Sequence, residues 1–160
     1  MSLEDTHRDL RAAVAAALRL ALDAAEVDVA VTEQDTPDPN MVDLPAVIVS
    51  YGGAEQDRGG TNARDDYAFP MLLGLYTLKA DPDTDVPANE PPGLRPTAFR
   101  TLVRRTFHHR RVVVEPSGLS LFPTEYDPTP PVNDDGGPEE IQQLRTAVGV
   151  TVPARLPRGD

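Results

Sequence analysis

The sequence predicts an α+β layer: a mixed or mainly antiparallel sheet of about four to six strands, with two main helices packed on one face. Three observations carry that expectation. Apolar residues recur at helical spacing in two separate stretches, one near the N-terminus and one past the middle. Runs of period-two alternation stand next to one another between and after those stretches. Two Pro-rich connections, 79–96 and 123–140, separate the blocks and are expected to project as extended loops. At 160 residues and 39% apolar composition the chain is sized for one domain, 1–160, with a core of its own.

Each element follows in order. From about Asp5 to Ala25, Leu10, Val14, Leu18 and Leu22 recur every four residues beside Ala13, Ala17, Ala21 and Ala25, with Arg11, Arg19 and Asp23 marking a more polar side. Ser2 followed by Asp5, or Thr6 followed by Asp9, supplies the capping oxygen. Val27, Val29 and Val31 alternate with Asp28 and Ala30 as a half-buried strand, and Asp35–Asp43 with Pro37 and Pro39 is a turn-rich connection. Leu44–Tyr51 reads as a buried central strand because Ala46, Val47, Ile48 and Val49 leave it no polar face. Gly52–Asn62 reads as a Gly-rich hairpin tip, and Tyr67–Leu78 as the return strand with Phe69, Met71, Leu73 and Leu75 on one face. Pro70 inside that strand demands a local edge or a bulge.

A second helix starts at Pro96, whose φ is already helical, and carries Phe99, Leu102, Val103, Thr106 and Phe107 on one face. Val112–Val114 is a short β-branched run that Leu119 and Leu121 extend or pair with. The stretch Pro123–Pro138 is an arm for a partner or is unstructured alone. Finally, Leu144, Thr146, Val148, Val150 and Val152 alternate with polar or small residues as an amphipathic strand.

Composition excludes several functions. No apolar run approaches the roughly 20 residues needed to cross a bilayer, so no membrane partner is expected. With no Cys there is neither a disulfide framework nor a thiolate metal site or cysteine nucleophile. Met1–Leu10 lacks the pattern of a signal peptide, so export by that route is not expected. A net charge of −11 disfavours a general duplex-binding surface, and no motif points to sequence-specific nucleic acid.

The motif search returns no catalytic, cofactor-binding or metal-binding residues, and no enzymatic activity is expected. Gly52-Gly53 and Gly59-Gly60 do not lead into Gly-Lys-Ser/Thr and a helix. Asp81, Asp83 and Asp85 imitate a calcium loop, but Val86 replaces its turn glycine and Pro92 its bidentate glutamate. His108 and His109 are adjacent, so on a helix they point about 100° apart and read as a solvated pair at its end. No nucleophile-elbow pattern surrounds Ser50, Ser117 or Ser120.

Charge distribution is the one uneven feature. Arg95, Arg100, Arg104, Arg105, Arg110 and Arg111 fall in a stretch with no acid, within a strongly negative chain. A solvated helix face accounts for this, and so does a partner contact through Arg100, Arg104, Arg105, Arg110 and Arg111. The acidic stretch Val112–Glu140, with Glu115, Glu125, Asp127, Asp134, Asp135, Glu139 and Glu140, is the complementary surface for a neighbouring copy.

The order of elements carries a resemblance. The Ala/Leu-rich first helix, the strand Leu44-Pro45-Ala46-Val47-Ile48-Val49, the Gly-rich tip into Tyr67–Leu78, the helix Phe99–Phe107 and the closing strand Leu144–Val152 together resemble tail terminator, or tail-completion, proteins of tailed phages and prophages. The likeness is one of layout across nearly the whole chain. It implies a virion structural protein that caps the tail tube as a hexameric ring, partners the tail tube protein and the head connector in head–tail joining, and resides in the virion tail after assembly in the bacterial host cytoplasm. A negative channel wall would let DNA pass without sticking. Alternatives are another neck or tail-tube component, or a non-phage soluble binding module.

Overall fold

The computed structural model describes residues 2–39, 43–60, 64–78, 90, 94–112, 120–128 and 142–157. Two helices, α1 (Leu3–Ala24) and α2 (Pro96–Phe107), accompany seven strands: β1 (Ala30–Glu33), β2 (Ala46–Tyr51), β3 (Gln56–Gly60), β4 (Arg64–Leu78), β5 (Ser120–Leu121), β6 (Glu125–Asp127) and β7 (Gln142–Pro157). The sheet is mixed, as expected. β1 runs parallel to β2, and the other pairings are antiparallel.

Seven strands fill only five lanes. The order is β1-β2-β4-β7-β5; β3 follows β2 along one side of β4, and β6 shares with β5 the outer side of β7. β4 and β7 form the spine, paired along the whole of β4 from Arg64 opposite Pro157 to Leu78 opposite Gln142. β2 is interior, between β1 and β4.

α1 forms where the stripe predicts. Ser2 is its cap, its Oγ accepting from the Asp5 backbone N–H at 3.0 Å, with Glu4 and Asp5 complementing the helix dipole in the first turn. Leu10, Val14, Leu18 and Leu22 are buried, each contributing about 1.5–3 kcal/mol by leaving water. They pack with Val47 and Val49 of β2, Phe69, Met71, Leu73 and Leu75 of β4, Val148, Val150 and Val152 of β7, and Phe99, Val103 and Phe107 of α2. One core therefore joins both helices to one sheet face.

Several expectations need correction. Gln56–Gly60 is a strand, although the glycines suggested a tip, because its backbone pairs with β4 while every side chain stays exposed. Glu125–Asp127 likewise pairs with β7 inside the expected loop 123–140. β1 begins at Ala30, with Val27 and Val29 packing on the core from the preceding connection. Arg11 is buried, and does not mark a polar side. Leu144 leaves the face of Val148 and Val150: Leu75 opposes Thr146 while Tyr76 opposes Leu144, so Arg145 is an extra residue that flips the strand beyond it. Leu144 then meets Gly74, where a Cβ would stand 3.1 Å from the leucine Cδ1 and 2.9 Å from Tyr76 Cε2.

Pro70 sits at a local edge. β2 ends opposite Met71 and β3 begins opposite Ala68, so the proline, which has no N–H, falls between the two strands that share that lane. Its carbonyl is still used, accepting from Gly52 N–H at 3.0 Å. Gly52 is needed there, since a Cβ would lie 2.9 Å from the Met71 carbonyl carbon.

The calcium-like run Asp81–Val86, the rest of the connection 79–89 and 91–93, Val113 and Val114, Ser117, and residues 129–141 lie outside the described residues. With them lie Glu115, Asp134, Asp135, Glu139 and Glu140 of the expected acidic surface.

Candidate partner interface

α2 turns Phe99, Val103 and Phe107 into the core, which leaves its arginines on the far side. Arg100 is half-buried, and Arg104 and Arg105 are exposed. Arg110 and Arg111 follow the helix and are also exposed; Arg110 is held by its backbone, donating to Phe107 O at 3.0 Å and accepting from Thr124 N–H at 2.7 Å. Among the described residues no ion pair forms to any of these five. Arg95 stands at the helix N-cap without a side-chain capping hydrogen bond, a poor place for positive charge.

The fold groups only part of this set. Arg100 and Arg104, one turn apart, line an open groove of about 410 Å³ with Thr97, Thr101, Tyr126 and Pro128. Tyr126 fixes the groove to the helix by donating from its hydroxyl to the Arg100 carbonyl at 3.2 Å. Arg105, Arg110 and Arg111 are not part of the groove wall. On the acidic side, Glu125 is already engaged, bonded through both carboxylate oxygens to Arg58 of β3 at 3.1 and 3.2 Å. Asp127 also has an interaction of its own.

His108 and His109 are not both solvated. His108 is half-buried at the α2 C-cap, and His109, at φ 59°, leaves the helix so that its ring stacks on His108 at 3.7 Å. Burial lowers the His108 pKa, helped by the neighbouring His109 and Arg104, and its Nδ1 is buried without a hydrogen-bond partner. Among the described residues no three His, Asp or Glu side chains gather as a metal site, and no helix is long and apolar enough to cross a membrane.

A second depression was not foreseen from sequence. About 400 Å³ in volume, it is lined by Glu4 and His7 of α1, Tyr51 at the end of β2, and Gly53, Ala54 and Glu55 in the bend before β3. His7 is 4% exposed, and its Nε2 donates to the Pro70 carbonyl at 2.9 Å, since a carbonyl can only accept. Its ring lies against Tyr51 at 4.4 Å and Phe69 at 5.3 Å. Burial lowers its pKa, opposed by that hydrogen bond and by Glu55, so the ring is neutral at pH 7. Arg11, 6% exposed, braces the same wall: its guanidinium sits 4.6 Å from the Tyr51 ring centre and pairs with Asp35 at 2.7 Å. The signal for this site was in the stripe. His7 and Arg11 fall at the spacing of Leu10, Val14 and Leu18, polar residues at core-facing positions.

No family model and no curated protein matches the chain. Among solved structures, a chain described as part of the virion of a native gene transfer agent particle is similar, with 16% identity, 94% of this chain and 96% of that one covered, and a TM-score of 0.45.

Proposed function

We propose that the chain is a non-enzymatic structural component of a phage or prophage tail, one that caps the tail tube as a hexameric ring and joins it to the head connector. The observation that carries the reading is the α2 surface: Arg100, Arg104 and Arg105, with Arg110 and Arg111 beyond, have no ion pair among the described residues in a chain of net charge −11. Arginine forks left unpaired amid an excess of carboxylates are suited to bidentate contact with acids on another molecule. The order of elements behind the resemblance to tail terminators supports it: first helix, buried strand, long return strand, second helix and closing long strand follow in that sequence.

The test is solution mass by light scattering over a concentration series, with and without tube protein from the same tail, and electron microscopy of capped tubes. A hexamer, or a monomer that becomes a ring on tube ends, is expected. A monomer indifferent to tubes overturns the reading in favour of a neck component or a soluble binding module. The groove at Arg100 and Arg104 favours the binding module as the second reading, with an anionic ligand for it to hold.

A further inference from the structure

The depression at the start of α1 presents acceptors. Among the described residues, Glu4 and Glu55 have no ion pair or hydrogen bond and the Tyr51 hydroxyl has no hydrogen-bond partner. His7 lines the same wall, nine-tenths buried and with its pKa lowered by that burial; with its Nε2 proton committed to Pro70, its Nδ1 is an acceptor with no partner among the described residues. Two carboxylates, an imidazole nitrogen and a phenol oxygen around one cavity match a cation with several N–H donors and no acceptor, such as a guanidinium. The same chain carries, on α2, guanidinium groups with no ion pair among the described residues.

The sheet places these two features at one level. Tyr51 of β2 opposes Met71 of β4, Met71 opposes Val150 of β7, and Val150 opposes Tyr126 of β6. Tyr51 lines the acidic pocket and Tyr126 lines the arginine groove, three lanes or about 14 Å apart along one row. Pocket and groove therefore lie on opposite flanks at equal height. A neighbouring copy turned about an axis along the strands brings its groove to the pocket without sliding, and repetition of that contact is heterologous and able to close.

We infer that the pocket of Glu4, His7, Tyr51 and Glu55 receives Arg104, with Arg100 beside it, from the α2 groove of a second copy of this chain. The inference rests on the ring reading above and replaces the 112–140 stretch with this pocket as the acidic partner of the arginines.

Because the chain has no cysteine, the contact can be read directly. Glu55→Cys and Arg104→Cys variants, each checked for wild-type circular dichroism, are mixed under assembling conditions and treated with a short bismaleimide. A cross-linked pair in the mixture, and none in either variant alone, is expected. Charge reversal supplies the second arm: Glu55→Arg and Arg104→Glu should each weaken assembly about tenfold or more, and mixing the two should restore it, because every contact in an alternating assembly then pairs opposite charges. If wild-type chains assemble yet neither cross-link nor reversal effect is seen, the pairing is overturned while the ring reading stands. If wild-type chains stay monomeric with tube ends present, the ring reading falls and takes the pairing with it.

Discussion

The two helices lie on the same sheet face and share one core, yet they treat their arginines in opposite ways. On α1 every arginine is paired: Arg8 with Asp5, Arg11 with Asp35, and Arg19 with the Val31 carbonyl and Glu33. On α2, Arg100, Arg104 and Arg105 have no ion pair among the described residues. Capping differs in the same sense, with Ser2 closing α1 while Arg95 leaves the first N–H groups of α2 without a side-chain acceptor. The arginines of the first helix therefore find their acids within the molecule. The second is held by its apolar stripe and by the Tyr126 hydroxyl on the Arg100 carbonyl, while its arginines have no acid beside them among the described residues.

Breaking what the helices have in common gives the largest effect. Phe99→Ala or Phe107→Ala on α2 should cost about 3–5 kcal/mol in urea unfolding, and Leu10→Ala or Leu18→Ala on α1 about 2–5 kcal/mol. An unchanged midpoint for either helix would mean that its stripe does not reach the core. The arginines come next. Arg11→Ala should cost about 1–3 kcal/mol, since it removes a buried stem, an ion pair and the support of Tyr51. Capping follows: Ser2→Ala should lose about 1 kcal/mol, and Arg95→Ser should gain a similar amount. If Arg95→Ser destabilises, the N-terminus of α2 has a partner of its own.

Acid titration sharpens the comparison further. His7 on α1 and His108 at the end of α2 both have pKa values lowered in the folded state, burial being the first cause. Their neutral forms therefore contribute stability that is fully present above the unfolded value near 6.5 and is lost as pH falls through the lower folded values. Melting temperature should decline below pH 6.5. His7→Gln, which keeps an N–H for Pro70, should flatten that decline more than His108→Gln does. The smallest expected effect is the most diagnostic. Arg104→Glu with Arg105→Glu should alter unfolding free energy by less than about 0.5 kcal/mol while abolishing assembly in the same light-scattering series. A large loss of stability would make those arginines structural after all.

How much of this was legible depends on which force set each feature. The stripe Leu10–Leu22 and the face Phe99, Val103, Phe107 are set by burial at a fixed period, so both helices follow from sequence. Pro70 signalled an edge because a missing donor is a local fact; where the edge falls depended on β2 and β3 sharing a lane. β3 and β6 were missed because β3 stays exposed throughout and β6 half-buries only Tyr126, too little for a period-two pattern, and pairing to long neighbours makes them strands. Leu144 was misplaced because the bulge at Arg145 inverts an alternation that reads as unbroken. For the sites, the unpaired arginines were visible as a gap in acidic residues. The His7 pocket showed only as polar residues within the α1 stripe, since its walls come from two stretches, 4–7 and 51–55, that meet only after folding.

The spine of β4 and β7 has a mechanical consequence. Every residue of β4 is matched on β7, and the hydrogen bonds between antiparallel strands stand across the direction of the chain. A pull along the strands at opposite ends loads the whole ladder at once in shear, whereas a pull at one end, separating Arg64 from Pro157, opens it pair by pair like a zip. The molecule is thus stiff along one axis and yielding across it, and force borne along β4 and β7 would be shared by the entire row of bonds.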